Sequence, residues 1–335
     1  MSTTAVRNTT RMRAAIARRF GGPEVVEIGE VPKPTPKSDE VLVKVHASTV
    51  SIADHRTRSR DLPKGLSFYG PLVLGVFRPR TPVLGMDVAG VVEAVGEEVT
   101  EFAPGDEVIA MLGAAFGGHA EYACVKPAAS AITRKPRNLS MEESVALVFG
   151  GHTALAYLNL LELAPGADVL VNGASGAVGT AAVQLAKLRG ARVTAVCSGG
   201  NAELVRSLGA DRVIDYTVED FTANGESYDV IVECVGNAPF ERVERAIKPG
   251  GALLLVVAGL RSMLTASRDS RRSGKLVTMR GTSVMGDELA SLVRLAEGGE
   301  FRPVVDRTYD LDEIVEAHRY VDTGRKRGNV VLRIA

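Results

Sequence analysis

Seven residues in the middle of the chain, Gly173-Ala174-Ser175-Gly176-Ala177-Val178-Gly179, have the types and spacing to hold a phosphate. The GxxGxxG pattern follows the apolar run Val169-Leu170-Val171 and leads into VGTAAVQLAKLRG, so it reads as strand, turn and helix. Glycine suits a sharp turn and lets backbone approach a pyrophosphate. The N–H groups of the helix's first turn would then face the negative charge. Among 35 glycines such spacings also arise by chance, and the plain alternative is an ordinary tight turn. The strand before and the helix after favour a dinucleotide site. The next strand ends Ala195-Val196-Cys197-Ser198-Gly199-Gly200-Asn201, with no acid to bind the ribose hydroxyls and repel a 2′-phosphate. Neutral Ser198 can hydrogen-bond that phosphate, which predicts NADPH over NADH, although this turn has no Lys or Arg. Tyr216, ending the third strand, is either a second contact to the adenosine phosphate or an ordinary strand-end aromatic.

The elements that must position this turn alternate along the second half of the chain. Strands are predicted at Asp168–Asn172, Arg192–Cys197, Arg212–Asp215, Asp229–Cys234 and Ala252–Val257, with helices at Val178–Arg189 and Ala202–Leu208. Strands apolar on both faces and joined by helices imply a parallel sheet covered on both sides. Ser140-Met141-Glu142-Glu143 resembles a capping box, and Thr153–Leu163 looks helical. Leu260–Gly274, rich in Ser and Arg and without a clear period, reads as a mobile loop. Helices are expected at Glu288–Glu297 and Leu311–Val321. The first half is Gly-punctuated and mostly β: Glu40–Ser48 alternates apolar and polar, and Asp87–Val95, Glu107–Met111 and Ala120–Val125 follow. The closing run Asn329–Ile334 is a strand able to return to that first half. Residues 61–77 are apolar and Gly-rich, either a substrate lid or a loop packed on its own domain.

At 335 residues the chain is long enough for two domains. Lys plus Arg equals Asp plus Glu at 40 each, so no global field draws in nucleic acid or an anionic membrane. Cys124, Cys197 and Cys234 are too few and scattered for a disulfide framework and suit a reducing cytoplasm. The longest apolar run, Gly251–Leu260, is half of what spans a bilayer. The first 22 residues hold Arg7, Arg11, Arg13, Arg18 and Arg19 and no acid, as transit peptides do. Because Ala14–Ala17 leads straight into a first strand, we read a short disordered overhang instead.

Several further blocks occur in a fixed order: Gly22-Pro23-Glu24-Val25, Pro32-Lys33-Pro34, Gly85-Met86-Asp87-Val88-Ala89-Gly90, Phe102-Ala103-Pro104-Gly105-Asp106, Leu208-Gly209-Ala210-Asp211 with Asp215-Tyr216, Lys248-Pro249-Gly250-Gly251, and Gly328-Asn329-Val330-Val331-Leu332. With the Gly173 turn, they resemble the medium-chain dehydrogenase/reductase superfamily, in its zinc-free quinone oxidoreductase (zeta-crystallin-like) branch, from Met12 onward. The resemblance implies an α/β fold: a GroES-like β-rich catalytic domain (1–138 and 286–335) and a Rossmann doubly wound parallel-sheet cofactor domain (139–285). It also adds Val235, Ala258 and Asn329 to the expected cofactor contacts.

Zinc-dependent members of that superfamily carry Cys, a His-Glu pair and Cys where this chain resembles them with Ser51, Met86 with Asp87, and Phe149. These cannot rebuild a shell of thiolate and imidazole, so we expect no metal. Without a Lewis acid, a quinone or conjugated carbonyl is the easier hydride acceptor, since its developing charge delocalises. The resemblance places Ser48–Arg56 beside the nicotinamide. Ser51, where many members carry Asn, can bond a ribose hydroxyl or the substrate oxygen. Asp54, His55 and Arg56 shape the cleft, and His55 is either a proton donor near neutrality or a partly exposed loop histidine. The expected function is NADPH-dependent reduction of a quinone or conjugated carbonyl by a cytoplasmic homodimer that pairs near strand Ala252–Val257. The alternatives are an enone/enoyl or natural-product tailoring reductase, and a non-catalytic NADPH-binding crystallin-like protein.

Overall fold

The structure, a computed structural model, describes residues 11–282 and 285–335; the overhang expected over residues 1–10 lies outside these. Arg11, Arg13 and the alanines after them form strand β1 (Arg11–Ala17), antiparallel to β2 (Val26–Pro32). Next come β3 (Val41–Val50), helices α1 (Ile52–Ser59) and α2 (Gly70–Leu74), and strands β4 (Asp87–Val95), β5 (Glu107–Met111), β6 (Tyr122–Val125) and β7 (Ala131–Arg134). Helix α3 (Met141–Leu158) leads into β8 (Asp168–Asn172), α4 (Ala177–Leu188), β9 (Arg192–Cys197), α5 (Ala202–Ser207), β10 (Arg212–Asp215) and β11 (Tyr228–Glu233). Then follow α6 (Phe240–Val243), β12 (Ile247–Leu255), α7 (Leu260–Ser273), β13 (Leu276–Thr278), α8 (Met285–Glu297), β14 (Val305–Asp310), α9 (Ile314–Asp322) and β15 (Asn329–Arg333).

Two sheets carry the architecture. Six parallel strands run β10-β9-β8-β11-β12-β13. Numbered within that sheet the order is 3-2-1-4-5-6, the doubly wound order that opens a ligand crevice where the strand order reverses, between β8 and β11. Val169, Val171, Val230, Val232 and Leu254 pack on α3 and α4 on one face, while Leu170, Ile231, Leu253 and Phe240 build a core on the other. Burial on both faces is why these strands lack polar alternation. The other sheet runs β14-β15-β3-β4-β5-β7, with β6 also paired to β3. Its closing strand β15 does return to the first half, antiparallel to β3.

Two expectations change, both of them helices. Leu260–Ser273 is a helix, not a loop, closed by left-handed Gly274; only Ala266 is buried, so no apolar stripe marks it. The capping box at Ser140 and Glu143 is real, but it opens one continuous helix, α3, rather than a helix separate from Thr153 onward. Strand β12 lies one strand in from the sheet edge, which β13 forms. Residues 61–77 do not pack down on their own domain: Phe68 is 88% and Phe77 92% exposed, and Leu72, Val73 and Val76 are also exposed. No helix among the described residues is long and apolar enough to cross a membrane.

Candidate active site

Strand β8 delivers the glycine turn to the crevice. Gly173 has φ of +81°, the left-handed region, and a Cβ there would come within 2.7 Å of Val235 Cγ2. At Gly176 a Cβ would meet nothing closer than Gly173 O at 3.6 Å, so this side of the turn is open. A Cβ at Gly179 would overlap Gly173 O, so glycine is needed for α4 to sit against the turn. No side chain caps the start of α4, which leaves first-turn N–H groups for an anion. One glycine turns, one exposes backbone and one permits close packing, as a pyrophosphate cradle requires. Ala174, Ala177 and Val178 are buried and hold the cradle from beneath.

The crevice's other wall depends on a residue that sequence reasoning missed. Glu233, fully buried at the end of β11, accepts hydrogen bonds from Asn172 Nδ2 (3.2 Å) and from the N–H groups of Val235 (2.6 Å), Gly236 (2.9 Å) and Ala238 (2.6 Å). It thereby holds the loop that places Val235 against Gly173. Its sequence signal was an acid closing the apolar strand YDVIVE. Tyr157 was missed as well: its hydroxyl donates to Leu255 O (3.0 Å) and Met279 O (2.7 Å), fixing α3 to the end of β12 just before Ala258.

At the adenosine end, Asn201 Nδ2 donates to Ser175 Oγ (3.1 Å) and Ser198 Oγ (3.2 Å), joining the two turns. Tyr216 is 63% exposed beside them. Asp215, held ionised below the usual carboxylate range by the Thr217 N–H and hydroxyl and by the Gly199 N–H, braces the Ser198–Gly200 turn from the neighbouring strand. Asn329 donates its side-chain amide to Ala146 O (3.0 Å) and Val304 O (3.2 Å).

The expected catalytic residues separate into two groups. Ser51 caps α1: its Oγ accepts from the N–H groups of Ala53 and Asp54 and donates to Asp54 Oδ2 at 2.6 Å. Asp54 also accepts from the N–H of Ser51 (2.8 Å) and of Gly85 (2.8 Å). Both side chains are buried, and these bonds tie the end of β3 to the start of β4. His55 points the other way. Its ring lies between Asp322 of α9 (2.7 Å) and Asp61 (3.3 Å), beside fully buried Arg58, which pairs with Asp322 at 2.6 Å. Arg56 is partly buried and feels the charge of Asp61. Among the described residues no hydrogen bond joins the His55 side chain to that of Ser51 or Asp54.

Zinc does not fit this donor set. The Ser51 hydroxyl is committed to the cap. Asp87 is fully buried and accepts from Thr49 N (2.7 Å), Thr49 Oγ1 (2.7 Å) and Ser48 Oγ (3.4 Å). Burial pushes its carboxyl up to about 7 against those bonds, with Asp54 adding to the rise. Met86 and Phe149 offer a thioether and a ring. Among the described residues no three His, Cys, Asp or Glu side chains gather to hold a metal ion.

Known proteins resemble this chain along nearly its whole length. The sequence matches the alcohol dehydrogenase GroES-like domain over residues 37–137 and the family described as zinc-binding dehydrogenase over 208–332. It is 33% identical over 330 residues to the chloroplastic quinone-oxidoreductase QR1 of Triphysaria versicolor, covering 93% of this chain and 95% of that protein. It is 31% identical to the chloroplastic NADPH-dependent alkenal/one oxidoreductase of Arabidopsis thaliana, covering 96% of this chain and 79% of that one. Among solved structures, the quinone oxidoreductase from Coxiella burnetii superposes with a TM-score of 0.83 at 28% identity, over 97% of this chain and all of that one. The chain belongs to the medium-chain dehydrogenase/reductase superfamily, within its quinone-oxidoreductase-like members, and is a nicotinamide-dependent oxidoreductase.

Proposed function

We propose that the protein reduces a quinone or a conjugated carbonyl compound with NADPH and without zinc. The observation that carries this reading is the open Gly173–Gly179 turn at the reversal of a 3-2-1-4-5-6 sheet, next to a strand that ends in neutral Ser198. When bound there, the nicotinamide supplies the hydride. The chain's part is to hold and aim: the turn receives the pyrophosphate, and Ser198, whose oxygen accepts from Asn201 while its own hydroxyl proton is left over, offers a neutral donor to the adenosine phosphate. The Ser51–Asp54 pair fixes the strand end that faces the nicotinamide, acting by position rather than through a free hydroxyl. A proton for the reduced acceptor comes from solvent, since both ring nitrogens of His55 are turned to Asp322 and Asp61. An acceptor that delocalises its negative charge needs no Lewis acid, which suits a site whose polar groups already bond one another.

The names of the relatives support this acceptor class. The domain division follows the sheets: residues 1–138 and 286–335 as the GroES-like part, and 139–285 as the cofactor part. We place the protein in a reducing cytoplasm on its three unpaired cysteines, as a homodimer. NADPH oxidation measured against quinones, enones and simple aldehydes tests the reading. Quinone or enone turnover, with NADPH bound at least about tenfold more tightly than NADH, is expected. Tight cofactor binding with no turnover on any acceptor would sink the catalytic claim, and equal affinity for the two cofactors would sink the role of Ser198.

A further inference from the structure

A second stretch of chain lies against the glycine turn. The segment between α9 and β15 crosses it: Gly328 donates its N–H to Ser175 O at 2.8 Å, and Gly176 and Gly328 form a parallel bridge. That segment carries Arg325, Lys326 and Arg327. The two arginines are exposed, whereas Lys326 is drawn in, with its Nζ donating to Gly328 O at 2.6 Å. An ammonium has three donors, and among the described residues this one makes no other hydrogen bond. Asn329, the next residue but two, donates its side-chain amide to Ala146 O and Val304 O.

We propose that Lys326 supplies the positive charge that meets a phosphate of the bound nicotinamide dinucleotide. This rests on the cofactor reading of the turn and adds a residue to it. The turn itself offers only neutral donors, and β9 ends without a Lys or Arg, so Lys326 answers the charge the cradle leaves uncompensated. The first-turn N–H groups of α4 and the ammonium act on the same anion, one by dipole and one by charge.

The placement has a pH consequence. Burial pulls the Lys326 ammonium down to about 8, opposed by Asp306 of β14. Asp306 in turn accepts from the Tyr320 hydroxyl of α9 (2.7 Å) and the Arg327 N–H (2.8 Å), and Arg307 lies over the Tyr320 ring. The glycine turn contributes no titratable group. A phosphate beside Lys326 favours its charged form, so binding takes up a proton above pH 8 and affinity falls as pH rises through 8.

Isothermal titration calorimetry of NADPH and NADH with the full chain, at pH 7 and pH 9, tests this. Wild type should weaken by about tenfold between the two, as a free group titrating one unit below the upper pH requires. K326M should bind about ten- to a hundredfold more weakly at pH 7 and lose the pH dependence. K326R should stay tight at pH 9, because a guanidinium does not titrate there. An equal effect on both cofactors assigns the contact to the pyrophosphate; an effect confined to NADPH assigns it to the 2′-phosphate. K326M with wild-type affinity and wild-type pH slope would overturn the proposal while leaving the cofactor site standing. Failure of wild type to bind either cofactor would overturn the cofactor reading and this inference with it.

Discussion

Asp87 shows what a single buried carboxyl does to the site. Held at about 7 by burial, it stays protonated in the folded chain over a range where the unfolded chain has already ionised. Between pH 4 and 7 the native state therefore binds the extra proton, so this group's stabilisation is present at the acid end and is lost as pH rises through 7. We expect Asp87→Asn to flatten that part of the stability curve, a difference on the order of a few kcal/mol across the window. Urea melts of the two proteins at pH 5 and pH 8 check it; parallel losses in both would remove Asp87 as the cause. Residues at this scale were legible by type but not by partner. That Ser51 and Asp54 were expected together beside the nicotinamide followed from family resemblance. That the hydroxyl is spent on a helix cap, and that His55 turns to Asp322 on α9, depends on packing between segments far apart in sequence.

At the scale of elements, the cofactor turn is fixed by how closely α3 and α4 approach. Gly150, midway along α3, lies so near the start of α4 that a Cβ would overlap Ala177 O. Gly150→Ala should therefore cost about 1–3 kcal/mol of stability and weaken nicotinamide binding as well, since Ala177 is part of the cradle. Thermal melting and cofactor titration together decide it; loss of stability with unchanged affinity would show that the turn is held independently of α3. Strongly patterned elements such as β3, and the strand–turn–helix of β8 and α4, were readable from sequence because their periodicity reports which face is covered. Two helices were not. Helix α3 is buried on nearly every side and interrupted by Gly150-Gly151, so its apolar residues lose the 3.6 spacing. Helix α7 has the opposite problem: the face it covers carries Ser262, Thr265, Ala266, Asp269 and Ser270, while Met263 and Leu264 are exposed, so polarity does not report which side is packed.

For the whole molecule, the two sheets are joined where β15 begins. Gly328 touches the cofactor turn, and the next five residues fill an interior place between β14 and β3. Val330, Val331 and Leu332 are fully buried there. Removal of residues 329–335 should leave the first sheet unable to close and should also loosen the turn. The expected result is loss of the cooperative melting transition, with nicotinamide binding reduced at least about tenfold. A truncated chain that melts like wild type would contradict it. The two-domain plan was legible from sequence, through the βα alternation and the family blocks; the bridge between Gly176 and Gly328 was not, because each lies in a local motif that carries no record of which distant segment it meets.

That interior place has a consequence for how the protein is made. On the ribosome, β3 to β7 emerge early and can pair with one another, yet the end of β3 that pairs with β15 stays an open edge until the whole cofactor sheet has been synthesised. The usual order, in which an earlier domain finishes folding before a later one begins, is closed to this chain. Its first sheet must wait with unpaired strand edges exposed, and the cofactor domain can fold before the domain that precedes it is complete.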